Sequence, residues 1–153
     1  MEVTRKIAEY VVNTNLEDFP PEAITAAKAA IIDCIGCALA GAKEPLADVL
    51  VNYVKEMGGN ATATVIGRGF KTTTPEAGLI NGAMSHALDY DDITVITKTH
   101  PSAVLIPAAL PMAEEVNASG RDMLLAYLLG LSLIHISEPT RRYAIWDAGV
   151  WLE

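Results

Sequence analysis

The feature that most restricts the fold is the apolar segment over residues 21–40. Pro21 suits the first turn of a helix, and Gly41 stands where a helix end is expected. Between them, apolar residues recur at intervals of three and four, the periodicity of a helix that buries one face. This stripe consists of Ile24, Ala27, Ile31, Cys34, Ile35 and Ala38. The segment therefore predicts a long amphipathic helix.

The same periodicity predicts further helices along the chain. They are expected over residues 3–13, Leu46–Met57 and Ser102–Val116, and from Arg121 to Leu129. Another helix is predicted after residue 73, with Thr74 as its N-cap and Pro75 at its first position.

A short β element is predicted over residues 61–73. Threonine alternates there with β-branched residues around Gly67-Arg68-Gly69, which is typical of a hairpin. In the helix that follows, Gly78, Gly82 and Ser85 form a side of small residues that would allow close helix packing. We therefore predict a mainly α-helical fold with one short β-hairpin near residues 61–73.

Composition and charge exclude some classes of function. At 153 residues and 51% hydrophobic content, the chain can form one domain, or part of a larger one. A net charge of −8 argues against a nucleic-acid or anionic-membrane partner, because nothing would neutralise phosphates. Charges interrupt the longest apolar runs, and Met1–Ile7 has no signal core. We expect a cytoplasmic protein; a small anionic substrate needs only a local positive site.

The chain has two cysteines, which form the pair Cys34-Ile-Gly-Cys37. A redox pair of this spacing normally lies at a strand-to-helix junction, whereas this one lies inside a long helical pattern. We interpret the cysteines as small buried residues of a helix.

Functional chemistry is concentrated between His86 and His100. The segment His86-Ala-Leu-Asp-Tyr-Asp-Asp92 is followed by His100-Pro-Ser102, which brings together three carboxylates and two imidazoles. These groups serve proton transfer and metal binding. His86 and Asp89 are three residues apart and are predicted to share a face at the end of one helix. The polar run from Asp91 to Thr99 is predicted to be a loop.

His100 and the helix after it form the most reactive part of this segment. Pro101 keeps His100 out of helical geometry and starts the next helix. The first N–H groups of that helix, at Ser102 and the two residues after it, suit a carboxylate or phosphate. The same field favours a neutral imidazole at His100, a good general acid or base, and Asp89 could orient it or hold a substrate hydroxyl. Such a set suits proton movement at a carbon next to a carboxylate.

Structural roles and other chemistries remain open. His86 is more often a hydrogen-bonded packing residue, and Asp91 and Asp92 are as readily loop or capping residues. A transition-metal site from His86, Asp89 and His100 matches no strong ligand signature. Paired aspartates also occur in terpene cyclases, prenyl-diphosphate enzymes and phosphatases. The sites of the first two classes need further aspartates on facing helices, and this sequence has no second aspartate-rich segment. The phosphatase motif needs a preceding strand, whereas the segment before Asp89 is predicted to be helical.

In these residues the chain resembles the MmgE/PrpD family, which includes 2-methylcitrate dehydratase, cis-aconitate decarboxylase and iminodisuccinate epimerase. The resemblance covers residues 3–130. The motifs that carry it are Leu79-Ile-Asn-Gly82, His86-Ala-Leu-Asp-Tyr-Asp-Asp92, His100-Pro-Ser102, Pro107-Ala-Ala-Leu110 with Ala113-Glu114, Ser119-Gly120, Ala27-x-x-x-Ile31-Ile-Asp33-Cys-Ile-Gly36 and Ala63-Thr-Val-Ile-Gly67.

The resemblance implies the N-terminal part of a large helical domain in a homodimeric, cofactor-independent lyase or isomerase of small di- and tricarboxylates. We expect 2-methylcitrate dehydratase-like chemistry, without a metal. The family's active-site aspartate and histidine fall on Asp89 and His100, our catalytic candidates. A threonine that some members place after the paired aspartates is replaced here by Ile93, with Thr94 one residue further on. The substrate-binding candidates are Ser102, Thr94, His86 and Asp92.

The family's other active-site groups, lysines and a further histidine, come from later sequence. Catalysis needs all partners held together, so we predict that this 153-residue chain is inactive by itself. The alternative function is a non-catalytic all-helical interaction module whose acidic loop is surface only.

The segment 131–153 departs from the pattern before it. It contains both tryptophans of the chain, and residues 131–141 look like the translation of a sequencing-library adaptor. We therefore predict that residues 1–130 form the incomplete helical domain and that residues 131–153, with His135, are a non-native tail.

Overall fold

The computed structural model describes residues 2–94 and 98–134, which fold into six α-helices and one hairpin. The helices are α1 (Glu2–Asn13), α2 (Pro21–Gly41), α3 (Pro45–Met57), α4 (Thr74–His86), α5 (Pro101–Glu115) and α6 (residues 120–134), and the strands are β1 (Ala63–Val65) and β2 (Phe70–Thr72). A single 3₁₀ turn, Leu16–Asp18, links α1 to α2. The predicted mainly α-helical fold with one short hairpin is confirmed.

Two predicted helix boundaries around α4 are wrong. Thr73 is the N-cap, so α4 begins at Thr74 and Pro75 takes its second position. At the other end α4 stops at His86, so Asp89 lies beyond the helix rather than on a shared face with His86. The prediction assumed that the helix continued for another turn.

The hairpin lies where it was predicted, with strands of only three residues. It is antiparallel, and Thr64 pairs with Lys71 at its centre. Its connection turns through Gly67 and Gly69, both at φ +71°, a conformation that glycine adopts without steric cost. Between them, Arg68 donates a hydrogen bond from Nη1 to the Ala42 carbonyl, at 2.7 Å, which ties the hairpin to the end of α2.

Helix α4 is the centre of the fold and approaches α2 and α5 closely. A Cβ atom at Gly41 of α2 would lie 2.0 Å from the Met84 carbonyl oxygen of α4. On the other side, a Cβ at Gly78 would lie 3.1 Å from the Pro107 carbonyl oxygen. That oxygen is free to face α4 because Pro111 has no N–H to bond it. The predicted small-residue side of α4 thus packs against α5.

Two apolar clusters form the core around these helices. One joins the end of α2 to α3, α4 and the hairpin, and the other joins α2 to α5 and α6. The first contains Ala38, Ala42, Ala47, Val51, Val54, Val65, Ile80 and Met84, and the second contains Leu16, Ala27, Cys34, Ile106, Leu124, Tyr127 and Leu128. The end of α4 and the start of α5 are thereby fixed by packing on both sides.

Helix α2 is long and apolar enough to cross a membrane by length and composition alone. It packs through Ala27, Cys34 and Ala38 into the two clusters and carries Lys28 and Asp33 along its length. A core helix passes the same test. One face of α2 therefore packs into the core, while Ile32 and Leu39 on the rest of its surface are exposed.

Candidate active site

The site lies where the chain leaves α4 and returns to start α5. Asp89 is in the left-handed region at φ +54°, a conformation that aspartate tolerates better than most residues. Its N–H donates to the His86 carbonyl at 3.1 Å, which closes the turn after α4. The turn reverses the chain, so that Asp91 comes back under the end of the helix that it has just left.

Asp91 lies between the two imidazoles. Its side chain is 0% exposed, and His86 Nδ1 lies 3.0 Å from Oδ1 while His100 Nδ1 lies 3.2 Å from Oδ2. The two rings are themselves in edge contact, with centroids 4.5 Å apart and planes at 62°. One buried carboxylate is thus shared by both histidines.

His100 is the N-cap of α5 and sits at the edge of the cluster. Its side chain is 25% exposed, and its Nε2 lies 3.8 Å from Oδ1 of the exposed Asp89. Its Nδ1 is buried and has no aligned hydrogen-bond partner among the described residues, although Asp91 Oδ2 is within reach. The structure therefore brings both catalytic candidates together, with Asp91 as a third member.

Asp92 turns the other way and binds the first turn of α5. Its Oδ2 accepts from the Ser102 hydroxyl at 2.6 Å, and its Oδ1 accepts from the Ser102 N–H at 3.1 Å. The Ser102 oxygen also contacts the Tyr127 hydroxyl at 2.8 Å, and Ser102 is buried. A carboxylate of the chain itself therefore takes the Ser102 donors that were expected to face a substrate.

The cysteines lie behind this network, both buried and free, as their interpretation predicted. The Cys34 thiol donates towards Ser85 Oγ at 3.5 Å and towards the Ser102 carbonyl at 3.4 Å. Burial raises the pKa of Cys34 to about 11; the charges of Asp92 and Asp91 act in the same direction, against the Ser85 hydrogen bond. Cys34 is thus a neutral packing residue and not a nucleophile.

Thr94 lies at the far end of the loop. Its N–H donates to the Thr99 carbonyl at 3.0 Å, and its hydroxyl lies 3.2 Å from the Thr99 hydroxyl. Thr99 in turn lines the cavity beside His100. Thr94 therefore contributes to the site through the loop that holds Thr99.

An open cavity of about 530 Å³ adjoins the two histidines. Its described lining consists of Leu46, Gly82, Ala83, His86, Ala87, Thr99, His100, Ala103 and Val104. Among these residues the imidazoles are the groups that can carry positive charge. The cavity is large enough for a small carboxylate, with apolar walls and polar groups at one end.

The same cluster has a donor set that suits a divalent transition ion. His86, Asp89, Asp91 and His100 bring one ligand atom each within 4.8 Å of one another. Their close approach is also explained by ring N–H groups facing carboxylate oxygens. The geometry alone therefore does not require a metal.

Asp91 is the member of the cluster whose place was missed. From the sequence, a loop or capping role for Asp91 was as readily expected as a functional one, whereas Asp91 is the most buried carboxylate of the motif. The useful signal was its apolar, alanine-rich setting, because a carboxylate that folds into such surroundings must find charged or donor partners. The two nearby imidazoles are the partners that the sequence offered.

The fold and the cluster together define a mainly helical protein with a histidine–carboxylate site between two helices. A sequence profile of the MmgE/PrpD N-terminal domain matches residues 5–149. The chain therefore belongs to the MmgE/PrpD family, and the predicted resemblance is confirmed.

Similar curated proteins are cis-aconitate decarboxylases. The Aspergillus terreus enzyme is 29% identical over 133 residues, covering 84% of this chain and 27% of that protein. The Mus musculus enzyme is 28% identical over 148 residues (91% and 30%), and the Homo sapiens enzyme is 27% identical over 136 residues (86% and 28%). The chain thus spans under a third of the length of these relatives, and its family includes lyases.

The profile match includes most of the segment predicted to be a foreign tail. Of that segment the structure describes residues 131–134, which continue α6, and Leu131 packs against the second cluster. Residues 135–153, with His135, lie outside the described residues. The foreign origin of the tail stays a prediction.

Proposed function

We propose that this chain is the N-terminal part of a cofactor-independent lyase that acts on small di- or tricarboxylates. The observation that carries the proposal is the placement of His100: its ring is held beside buried Asp91 and exposed Asp89, at the end of a cavity of about 530 Å³. An imidazole is a common general acid and base, and this placement lets it exchange a proton with a substrate bound in the cavity. Membership of the family supports lyase chemistry at this site.

His100 moves the proton in this mechanism. In a dehydration, a base removes the proton next to a substrate carboxylate, the electron pair forms the double bond, and the hydroxyl leaves as water after protonation. In a decarboxylation, the carbon–carbon bond breaks, carbon dioxide leaves, and the carbanion takes a proton from the acid. Asp89, 3.8 Å from Nε2 and open to solvent, is placed to hold a substrate hydroxyl or to stabilise the imidazolium.

The remaining candidates support the pocket. His86 and Thr99 line the cavity and can contact a substrate directly. Ser102 and Asp92 act through each other, because their hydrogen bonds fix the start of α5 that carries His100. We assign them the role of holding His100 in place rather than that of touching the substrate.

Two reactions compete within this proposal. The motifs present here are shared by 2-methylcitrate dehydratase and cis-aconitate decarboxylase, and the sequence led us to expect the dehydratase. The relatives named above favour decarboxylation of cis-aconitate instead. The described lining of the cavity contains no lysine or arginine. We therefore propose that the groups that bind the substrate carboxylates lie in other parts of the whole enzyme. The same groups would decide between the two reactions.

The test is to express the uninterrupted open reading frame that contains this segment and to assay its product with 2-methylcitrate and cis-aconitate. We expect turnover of one substrate, reduced about 10²- to 10⁴-fold by His100→Ala through loss of acid–base catalysis. Asp33→Asn, at an exposed position of α2, is the control and should keep full activity. A folded product without turnover on either substrate would favour the interaction module.

The 153-residue chain itself is expected to show no turnover in the same assays. Clear activity that His100→Ala abolishes would overturn this expectation. A homodimer and a cytoplasmic location stay predictions for the whole protein.

A further inference from the structure

We propose that Asp91 is a positioning residue that sets the tautomer of both site histidines. In this arrangement His86 and His100 each carry their proton on Nδ1 when neutral, and each keeps Nε2 free to accept a proton. The importance of this for catalysis rests on the proposed function, but the arrangement itself can be measured without a substrate.

The burial of Asp91 is the first argument. Its carboxylate is 0% exposed, and a buried charge is costly unless donors surround it. The adjacent carboxylates are directed elsewhere: Asp92 binds Ser102, and Asp89 is 78% exposed. Among the described residues, the donors within reach of Asp91 are the two imidazoles, which favours N–H groups that face it.

The position of the ring nitrogens is the second argument. His86 Nδ1 lies 3.0 Å and His100 Nδ1 lies 3.2 Å from the Asp91 oxygens. A carboxylate can only accept, and a ring lone pair at this distance would be repelled by it. His100 Nδ1 is removed from water, and although an N–H there is not aligned for a hydrogen bond, Asp91 Oδ2 is the acceptor within its reach. Both Nδ1 atoms therefore carry hydrogen.

Asp89 favours the opposite tautomer of His100, but its effect is the weaker one. Its Oδ1 lies 3.8 Å from His100 Nε2 and would favour a proton on that nitrogen. Solvent screens this exposed carboxylate, whereas Asp91 is closer and buried, where electrostatic interactions are stronger. Asp91 therefore decides the tautomer of His100.

The consequence is that His86 and His100 both present Nε2 as the proton acceptor. His86 and His100 line one cavity with ring centroids 4.5 Å apart. Because one carboxylate holds both Nδ1 atoms, each ring reacts through Nε2. Dehydration needs a base and an acid, and two such rings side by side can supply both.

The experiment is long-range ¹H–¹⁵N NMR of the imidazoles in the 153-residue chain, at a pH where both rings are neutral. Single substitutions of each histidine by glutamine, including His135, assign the signals. We expect a pyrrole-type shift at Nδ1 and a pyridine-type shift at Nε2 for His86 and His100. A proton on Nε2 of either neutral ring in the unsubstituted chain would overturn the proposal, whatever the variants do.

Asp91→Asn is the decisive variant. An amide keeps the shape of the carboxylate but offers one acceptor and one donor group, so one of the two rings must switch to the Nε2–H tautomer. Asp89→Asn is the matched control and should leave both tautomers unchanged. Asp91→Asn that folds without moving either tautomer, or a switch caused by Asp89→Asn, would contradict the assignment.

These outcomes are distinct from those of the activity assay. Nδ1–H tautomers in a protein without turnover would leave the proposed function alone in doubt. Turnover with Nε2–H rings would overturn only the role of Asp91.

Discussion

At the scale of single residues, Asn81 shows how a buried polar side chain fixes the frame of the site. It is 0% exposed, in the middle of α4. Its Nδ2 donates to the Thr64 carbonyl at 2.9 Å, and its Oδ1 accepts from the Ile66 N–H at 2.9 Å. The side chain therefore pairs with the outer edge of β1 as a neighbouring strand would. This explains an asparagine among the apolar residues of Leu79-Ile-Asn-Gly82.

We predict that Asn81→Ala lowers the free energy of unfolding by about 2–6 kcal/mol, because two partly buried backbone groups lose their partners at about 1–3 kcal/mol each. Urea denaturation followed by circular dichroism measures the change. Asn52→Ala, at an exposed position of α3, should stay within about 0.5 kcal/mol of the parent. Equal effects of the two substitutions would show that the Asn81 hydrogen bonds contribute nothing specific.

The site residues were predictable to different degrees. His100 could be placed from the sequence because Pro101 dictates both the helix start and the geometry before it. Asp91 could not, because its position depends on the left-handed turn at Asp89. If the helix continued past His86, Asp89 would share a face with His86. Because the chain turns at Asp89 instead, Asp91 lies against the Nδ1 atoms of both rings. One backbone conformation decides between two carboxylates.

At the scale of secondary-structure elements, the close contact between α2 and α4 depends on the absence of a side chain at Gly41. A Cβ at Gly41 would lie 2.0 Å from the Met84 carbonyl oxygen, where backbone must move to relieve the clash. Gly36, five residues earlier in the same helix, has nothing within 4 Å of a Cβ. Alanine substitutions at these two glycines therefore distinguish the effect of a steric clash from the effect of helix propensity.

We predict opposite effects for alanine at these positions. Gly41→Ala should destabilise the chain by at least about 1–3 kcal/mol through overpacking. Gly36→Ala should stabilise it by about 0.5–1 kcal/mol, the usual preference for alanine inside a helix. Thermal unfolding of both variants under the same conditions is the measurement. Gly41→Ala with unchanged stability would mean that α2 and α4 are further apart than the structure places them.

Helix α5 is joined to the hairpin by Glu114, which makes this contact sensitive to acid. Its carboxylate accepts from the Thr64 hydroxyl at 2.6 Å and from the Thr64 N–H, and Lys71 Nζ lies 3.9 Å away. Burial raises the pKa of Glu114, but these hydrogen bonds and the Lys71 charge outweigh it and leave the pKa below its usual range. The ionised form is therefore stabilised by folding.

We predict that this contact is lost in acid. A carboxylate with a lowered pKa in the folded state stabilises the protein above its unfolded pKa of about 4.3, and the stabilisation disappears as the pH falls through the folded value. Glu114→Gln should therefore lose less stability than the parent between pH 7 and pH 3 in urea denaturation. Glu56→Gln, at an exposed position of α3, should retain the acid sensitivity of the parent. The same acid loss in Glu114→Gln as in the parent would exclude this role.

The elements themselves were largely predictable from local signals. Proline and glycine mark the ends of α2 and the start of α5, and threonine alternation marks the hairpin. The predictions failed at the ends of α4, where the cap lies at Thr73 and the helix stops at His86. Tertiary packing sets these ends, since Met84 is held against Gly41 while the chain beyond His86 turns back towards α5.

At the scale of the whole molecule, large apolar side chains of α4 and α5 are exposed to solvent next to one another. Val104, Met112 and Leu79 are at least half exposed and, with their neighbours, line a groove of about 660 Å³ between α4 and α5. A contiguous exposed apolar groove is an association surface in water. Sequence periodicity could not reveal it, because α5 is apolar on nearly every side and only the packing of α4 shows which side stays open.

We predict that the 153-residue chain self-associates through this groove with increasing concentration, as measured by sedimentation equilibrium. Val104→Glu should weaken association about tenfold or more, because burying a valine is worth about 1.5–3 kcal/mol and 1.4 kcal/mol is a factor of ten. Val49→Glu is a matched control: Val49 on α3 and Val104 are both 66% exposed, but Val49 lies outside the described lining of the groove. If both substitutions weaken association equally, exposed apolar area in general drives it; if the chain stays monomeric throughout, the groove is not an association surface. Only selective weakening by Val104→Glu assigns the contact to this groove together with the adjoining cavity beside the histidines, which Val104 also lines.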